Sequence, residues 1–97
     1  MPTYTRLPRF DRDYAALGPQ EKAAFKAAVR KFVEDIERGR GFRKGLRVKG
    51  VQGSTGVYEL TWADDGRATF EYGSSRSAGE PHVIWRRVGT HAVLAKP

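Results

Sequence analysis

Residue types suited to phosphate chemistry lie close together near the end of the chain. The segment His82–His91 begins with apolar, β-favouring residues, continues with two arginines and ends in Gly-Thr-His. Side chains alternate across a strand, so Arg87 and His91 are predicted to share one face, provided that the strand extends to His91. The predicted faces are Val83, Trp85, Arg87, Gly89 and His91 on one side, and Ile84, Arg86 and Val88 on the other. An arginine and a histidine on one face can contact the same phosphate, but a surface strand with solvated arginines has the same pattern.

A second candidate region is a run of cations that contains no acidic residue. Its members are Arg38, Arg40, Arg43, Lys44, Arg47 and Lys49. A solvated loop is one interpretation of such a run. Contact with the phosphate groups of a nucleic acid is the other, and the lack of acidic compensation favours it.

Composition narrows the class of protein. The 97 residues carry a formal net charge of +7 and have a pI of about 10.1, which favours a polyanionic partner such as nucleic acid, an acidic protein or an anionic membrane surface. Cysteine is absent, which excludes a disulfide framework and a thiolate zinc site, and two histidines argue against a histidine-rich metal site. No signal peptide or membrane span is evident, so we expect a single cytoplasmic domain over residues 1–97.

Hydrophobic periodicity predicts the elements that must position these residues. A strand at Pro2–Leu7 precedes a short helix with Phe10, Tyr14 and Leu17 on one face, and a long helix from Pro19 to about Arg38. Further strands are predicted from near Gly45, at Val57–Trp62, at Arg67–Tyr72 and at His82–His91, with a hairpin turn at Ala63–Gly66. This order predicts an α+β fold with an N-terminal strand, a two-helix hairpin and an antiparallel sheet of three to four strands. Both helices would pack on one face of the sheet and leave the other partly open and basic.

The long helix carries the clearest core signal. We predict that its apolar stripe, comprising Phe25, Val29, Phe32, Val33 and Ile36, is buried. It would pack against Tyr58 or Leu60 on one strand, together with Phe70 or Tyr72 on the next.

Four motifs, taken in order and spacing, resemble the RelE/HigB/YafQ superfamily of bacterial toxins over nearly the whole chain. They are Leu-Arg-Val-Lys-Gly at Leu46–Gly50, Gly-Val-Tyr-Glu-Leu at Gly56–Leu60, the Gly66-Arg67 pair, and Arg-Val-Gly-Thr-His at Arg87–His91. The resemblance implies a small α+β toxin that enters the ribosomal A site and cleaves mRNA. It implies metal-free attack of the ribose 2′-OH on the adjacent phosphate, with no cofactor. It also implies an antitoxin that wraps the toxin, which would be a monomer alone or a hetero-oligomer with that partner.

The resemblance also assigns roles to individual residues. His91 matches the family's C-terminal histidine and would be the general acid, since histidine titrates near neutral pH. Arg87 and Arg67 match arginines of the YafQ and RelE branches and would hold the scissile phosphate. Asp65 matches an acidic residue of the YafQ branch and could act as a base or hold a partner group. The residues expected to contact RNA are Arg43, Lys44, Arg47, Lys49 and Arg86.

Two departures from the family pattern leave other functions open. Glu59 and Thr61 stand where RelE has lysines, and Ala95 stands near the place of a C-terminal aromatic residue. Glu59 could replace a missing base, or it could be the cross-strand partner of an arginine. The alternatives are a non-catalytic toxin of the gyrase-inhibiting ParE type, and an inactive relative that binds RNA or only its antitoxin.

Overall fold

The computed structural model describes residues 2–97, which form two helices and one five-stranded sheet. In chain order the elements are β1 (Thr3–Arg6), α1 (Pro8–Ala15), α2 (Pro19–Arg38), a 3-10 turn (Lys44–Leu46), β2 (Lys49–Gly50), β3 (Val57–Thr61), β4 (Gly66–Gly73), β5 (His82–Thr90) and a second 3-10 turn (His91–Ala95). The fold is α+β, as the sequence predicts. In this part of the chain neither helix is long and apolar enough to cross a membrane.

Both helices form where the spacing of apolar residues predicts them, and neighbouring residues determine where they begin and end. Pro8 and Pro19 each occupy the first turn of a helix, where the missing N–H costs no hydrogen bond. At the start of α2 the Glu21 carboxylate accepts a 2.8 Å hydrogen bond from the Gly18 N–H. Gly39 ends α2 in the left-handed region at φ 67°, which a residue without Cβ adopts at little cost.

The sheet is mixed and has the order β1-β5-β4-β3-β2. Strands β2 to β5 pair antiparallel, but β1 joins the sheet parallel to β5, with Thr3 opposite His82. The sheet therefore has five strands, not the three to four predicted. The buried His82 ring reinforces this pairing through Thr3 Oγ1 at 2.7 Å and Thr5 Oγ1 at 3.3 Å. Thr3 and His82 are 79 positions apart, beyond the reach of any local pattern.

The core lies between α2 and one face of the sheet. Phe32 is 1% exposed, and its ring centroid lies 5.0 Å from that of Phe70. Phe25 packs edge-on against Trp85, with 5.6 Å between centroids. The predicted core is confirmed at its centre, while its margin is only partly buried; the marginal residues are Val29, Val33, Ile36 and Tyr58, with Tyr72 exposed.

A β-bulge interrupts β5 within the arginine pair. Thr69 lies opposite Arg87, but the next residue, Phe70, lies opposite Trp85. Arg86 is therefore an extra residue on β5, and the alternation of side chains shifts at this point.

This shift corrects the predicted faces of the last strand. Val88 is 1% exposed and joins Val83 in the core, although simple alternation placed them on opposite faces. The strand ends at Thr90, and His91 begins the 3-10 turn instead of extending β5. The condition for placing His91 by alternation, a strand that extends to His91, is therefore not met.

The segment after α2 contains less strand than predicted. A 3-10 turn occupies Lys44–Leu46, and only Lys49–Gly50 pairs with β3. Leu46 is buried, and Arg47 follows it at a left-handed φ of 49°. Two residues after Arg47, Lys49 pairs with Glu59 at the edge of β3.

The sheet face away from the helices is less open than predicted. Glu59 and Thr69 are buried, at 7% and 0% exposure. The Thr69 hydroxyl donates to the Pro97 carbonyl oxygen at 3.3 Å, and Arg86 Nε donates to the same oxygen at 3.1 Å. The residues that follow β5 therefore cover part of this face.

Candidate active site

Hairpin pairing brings the β3–β4 turn beside the end of β5. Gly66 lies opposite Thr90, which places the preceding Asp65 next to the following His91. The Asp65 carboxylate and His91 Nδ1 form a hydrogen bond. Both side chains are largely exposed, at 60% and 69%. The structure thus provides a solvent-accessible carboxylate–imidazole pair.

This contact sets the electrostatics of the pair. The hydrogen bond from His91 is the largest cause of a lowered pKa at Asp65. Asp65 is therefore ionised at neutral pH and accepts the Nδ1 hydrogen. His91 Nε2 has no hydrogen-bond partner within residues 2–97. A histidine held through Nδ1 can give or take a proton at Nε2.

The turn that carries Asp65 requires glycine at position 66. A Cβ added to Gly66 would lie 2.6 Å from carbon atoms of the Trp62 ring. The backbone N–H of Trp62 donates to the Gly66 carbonyl oxygen at 3.1 Å, and the backbone N–H of Gly66 donates to the Ala63 carbonyl oxygen at 3.0 Å. The tryptophan ring and these two hydrogen bonds together fix the path of the turn.

Arg67 braces the same turn from within. Its Nη1 donates to the carbonyl oxygens of Gly66 at 3.0 Å and Asp64 at 3.2 Å. Its Nε lies 3.9 Å from Glu59 Oε1, and the Arg67 side chain is only 17% exposed. Glu59 is therefore a cross-strand partner of an arginine, which is one of the two interpretations that the sequence allows. Contacts around the β3–β4 turn therefore connect four side chains: His91 bonds to Asp65 in the turn, and Arg67 bonds to the turn backbone and lies beside Glu59.

Arg87 belongs to a separate ion pair. Its Nε and Nη2 each donate a 2.9 Å hydrogen bond to Asp13 of α1, and the Val88 N–H donates to the same carboxylate at 3.3 Å. Burial raises the pKa of Asp13, but the hydrogen bonds from Arg87 and Val88 outweigh this effect and the pKa is lowered. The bond to Asp13 in turn raises the pKa of Arg87. One edge of the guanidinium, formed by Nε and Nη2, is thus directed at α1.

Two of the predicted RNA-contacting arginines are also held by acidic residues. Arg43 Nη2 lies 2.8 Å from Asp35 and 3.0 Å from Glu34, and the Arg43 backbone N–H donates to Asp35 at 2.9 Å. These bonds lower the pKa of Asp35 to about 2 and raise that of Arg43. Arg86 forms an ion pair with Glu71.

The remaining predicted RNA contacts are accessible. Lys44, Arg47 and Lys49 are exposed, and none forms an ion pair with another residue of the described chain. They surround the 3-10 turn and the edge strand β2. Together with Arg38 and Arg40, which are also exposed, these side chains carry the accessible charge of the basic run, whereas Arg43 is held by Asp35.

Sequence reasoning missed the two acids that hold arginines, the half-buried Asp13 and the buried Asp35. Asp13 and Asp35 each follow a buried phenylalanine, Phe10 or Phe32, by three positions. Residues three apart lie on neighbouring parts of one helix face. An acidic residue at that spacing is the signal that predicts an ion pair at the helix–sheet boundary. Within residues 2–97 no three histidine, cysteine or acidic side chains are grouped closely enough to hold a metal ion.

Comparison with solved structures places this fold among known proteins. The chain matches YafQ from E. coli strain BL21(DE3) with a TM-score of 0.64 at 12% identity, covering 97% of this chain and 98% of that one. It matches a chain of the RelB-RelE antitoxin-toxin complex from Methanococcus jannaschii with a TM-score of 0.59 at 14% identity over 94% of both. YoeB from Staphylococcus aureus gives 0.64 at 14% identity, over 93% and 97%. No protein-family model and no curated protein sequence matches the chain.

Proposed function

We propose that this chain, which has the fold of the RelE-type toxins, is the toxin of a toxin–antitoxin system and cleaves mRNA on the ribosome. The observation that carries the proposal is the exposed Asp65–His91 pair, which offers an imidazole as proton donor on a strongly basic protein. Structures of related fold include a toxin–antitoxin complex, which supports a cognate antitoxin as partner. The action would take place in the cytoplasm, where ribosomes translate mRNA.

The proposed reaction needs only groups of the RNA and of this chain. The ribose 2′-OH attacks the adjacent phosphorus, forming a 2′,3′-cyclic phosphate and releasing the 5′-oxygen of the next nucleotide. His91 Nε2 gives its proton to that oxygen, while Asp65 stabilises the imidazolium before transfer. Glu59 is the candidate acceptor of the 2′-OH proton. The proton taken from the 2′-OH balances the proton given to the leaving group.

Charge on the phosphate would be stabilised by arginines. Arg67 lies under the turn that holds Asp65, and its Nη2 has no hydrogen bond within the described chain. Arg87 donates to Asp13 through Nε and Nη2, so its Nη1 stays available to a phosphate oxygen. Lys44, Arg47 and Lys49 would contact the RNA backbone. Arg43 and Arg86, which are paired with Asp35 and Glu71, would add positive charge to the same protein surface.

The decisive test is incubation of the purified protein with translating ribosomes, followed by mapping of the mRNA ends. We expect new ends with 5′-hydroxyl groups on translated mRNA and few or none on naked RNA. The His91→Ala variant, verified by a thermal melt, is the matched control. Intact mRNA in the presence of folded wild-type protein contradicts the proposed activity.

A second candidate is a relative that binds RNA without cleaving it. Glu59 is 7% exposed and Arg87 is held by Asp13, so two of the proposed catalytic groups already have partners in the protein. This function predicts that the protein sediments with ribosomes but leaves mRNA ends unchanged.

A further inference from the structure

Lys96 and Pro97 follow the second 3-10 turn and form a short segment that we call the latch. It lies on the sheet face away from the helices, where the Pro97 carbonyl oxygen accepts hydrogen bonds from Thr69 Oγ1 at 3.3 Å and Arg86 Nε at 3.1 Å. From α1, Arg9 Nη2 donates to the Lys96 carbonyl oxygen at 2.6 Å. Three side chains from three elements thus hold the latch in place.

The latch is fastened to the rest of the fold through these side chains and not through the sheet. Lys96 is exposed, and its backbone N–H bonds to the Val93 carbonyl oxygen in the preceding turn. Pro97 has no backbone N–H to donate. Among residues 2–97 the latch pairs with no strand, so it can leave the sheet without breaking the ladder of backbone hydrogen bonds.

Two hydrogen-bond donors under the latch converge on one oxygen atom. Thr69 is 0% exposed on β4, and Arg86 is the bulged residue of the neighbouring strand β5. Arg86 Nη1 pairs with Glu71, whereas Nη2, on the same edge as Nε, has no hydrogen-bond partner within the described chain. The Nε–Nη2 edge of an arginine can bind two oxygen atoms of one phosphate group. The Pro97 oxygen therefore occupies a place where a phosphate oxygen would also fit.

Two carboxylates lie near these donors, and each has an arginine partner. Glu71 is paired with Arg86 itself, and Glu59 lies 3.9 Å from Arg67 Nε. The two acids and two arginines balance, on a chain whose formal net charge is +7. One negative charge is therefore better suited to this place than two, which favours a phosphodiester over a phosphate monoester.

The latch also restricts access to Glu59. Glu59 is 7% exposed and lies directly opposite Thr69 in the β3–β4 pair. Side chains that face each other across two strands are about 5 Å apart, so an oxygen bonded to Thr69 lies close to Glu59. A group that replaced the latch on Thr69 would reach the neighbourhood of this carboxylate.

We propose that the latch is an intramolecular competitor that closes a phosphodiester-binding site built by Thr69 and Arg86. In the closed form the Pro97 carbonyl oxygen occupies the position of a phosphate oxygen. In the open form a phosphodiester accepts hydrogen bonds from Thr69 Oγ1 and from Nε and Nη2 of Arg86, and Glu59 becomes accessible. The inference rests on the proposed function for the reaction that Glu59 would serve, but the competition for binding does not require cleavage.

The test measures binding of the dinucleotide thymidylyl-3′,5′-thymidine, which has one phosphodiester and no 2′-OH, so the proposed reaction cannot cleave it. Binding is followed by NMR at the Nε–H signal of Arg86, which is assigned by its loss in Arg86→Lys. Arg9→Ala removes the anchor of Lys96 without changing the site, and a second variant lacks Lys96 and Pro97. Each variant should lower the apparent Kd at least about fivefold, because the fraction of protein with an open site rises.

The sign of the effect separates the latch from general attraction to a basic protein. Arg12→Ala is the matched control, because Arg12 is an exposed cation on the same helix as Arg9 and has no hydrogen bond to the latch within residues 2–97. Loss of positive charge alone predicts equal or weaker binding, which is the result expected for Arg12→Ala. Thr69→Val, combined with removal of the latch, should abolish the gain in affinity.

Two independent latch variants keep the test decisive, since thermal melts show which of them is folded. An unchanged Kd in the folded latch variants overturns the proposal, as does a gain in affinity that survives Thr69→Val. Tighter binding by latch variants that leave mRNA intact on ribosomes supports the latch and rejects the nuclease. Cleavage by the wild type, together with a Kd that does not respond to the latch variants, supports the nuclease and rejects the latch.

Discussion

The guanidinium of Arg87 donates two 2.9 Å hydrogen bonds to the carboxylate of Asp13 and so fastens β5 to α1. Next to β1, the edge of β5 is paired as far as Trp85, whose carbonyl oxygen accepts the backbone N–H of Leu7. Beyond the end of β1, the Asp13 carboxylate accepts the backbone N–H of Val88 on the same strand. The Asp13 carboxylate thus takes the place of a neighbouring strand at Val88, where β1 no longer pairs with β5. The side chains of Arg87 and Asp13 are mostly covered, at 25% and 17% exposure.

Breaking this pair should lower stability from either side. Arg87→Ala leaves Asp13 partly buried without its cation, which should cost about 1–3 kcal/mol of unfolding free energy. Asp13→Ala should cost a similar amount, and the double variant less than the sum of the two. Denaturant melts of the four proteins in this cycle provide the measurement. Strictly additive losses would show that the two residues do not stabilise each other.

The Asp65–His91 pair is expected to control cleavage but not folding. His91→Ala should lower ribosome-dependent cleavage about 10²–10⁴-fold, as loss of a general acid does. Asp65→Asn should lower it less, because the imidazole remains but loses its charged partner. Asp64→Asn changes the neighbouring acid in the same turn and serves as the control. Undiminished cleavage by His91→Ala in mapped mRNA ends would remove the proposed acid.

Arg67→Ala should affect both cleavage and stability. It removes the donor under the turn and leaves Glu59 buried without a cation, which should cost about 1–3 kcal/mol of unfolding free energy. Cleavage should fall about 10²–10³-fold if Arg67 also contacts the phosphate as a preorganised donor. A thermal melt and a cleavage assay on the same sample separate the two effects. A stability loss with full cleavage would limit Arg67 to its structural role.

Phe32→Ala tests the centre of the core. Phe32 is 1% exposed and contacts Phe70 and Trp85, so its truncation should cost about 3–5 kcal/mol of unfolding free energy. Tyr4→Ala is the matched control, because Tyr4 is 61% exposed and should change stability little. Equal denaturation midpoints for the two variants contradict the assigned core.

Acid should weaken the loop that follows α2 through Asp35. Hydrogen bonds from Arg43 lower the pKa of Asp35 from 3.8 to about 2 in the folded protein. A lowered folded-state pKa contributes stability that is complete above the unfolded pKa and is lost as pH falls through the folded value. The Tm difference between wild type and Asp35→Asn should therefore be constant above about pH 5 and shrink between about pH 4 and pH 2. A constant difference across that range contradicts the role of the Asp35–Arg43 pair.

The sequence alone determined the elements that depend on neighbouring residues. Helix α2 begins at Pro19 and ends at Gly39 because proline and glycine act locally, and its stripe reaches the core because 3.6-residue periodicity is local too. The Asp65–Gly66 turn is set by its own residues in the same way. Asp65, Arg67 and His91 could be singled out as candidates because each lies in or beside a short motif of consecutive residues, although Asp65 and His91 are 26 positions apart.

Tertiary structure alone decided which charged groups meet. The bulge at Arg86 shifts the register of β5 against β4, so alternation read along one strand misplaced Val88, and the strand ends before His91. Arg43 and Arg87 look like accessible cations in the sequence, but helix carboxylates hold both, Asp35 from 8 positions away and Asp13 from 74 positions away. The parallel pairing of β1 with β5 likewise joins the two ends of the chain. Such contacts depend on how finished elements pack against one another, and no pattern within one element contains that information.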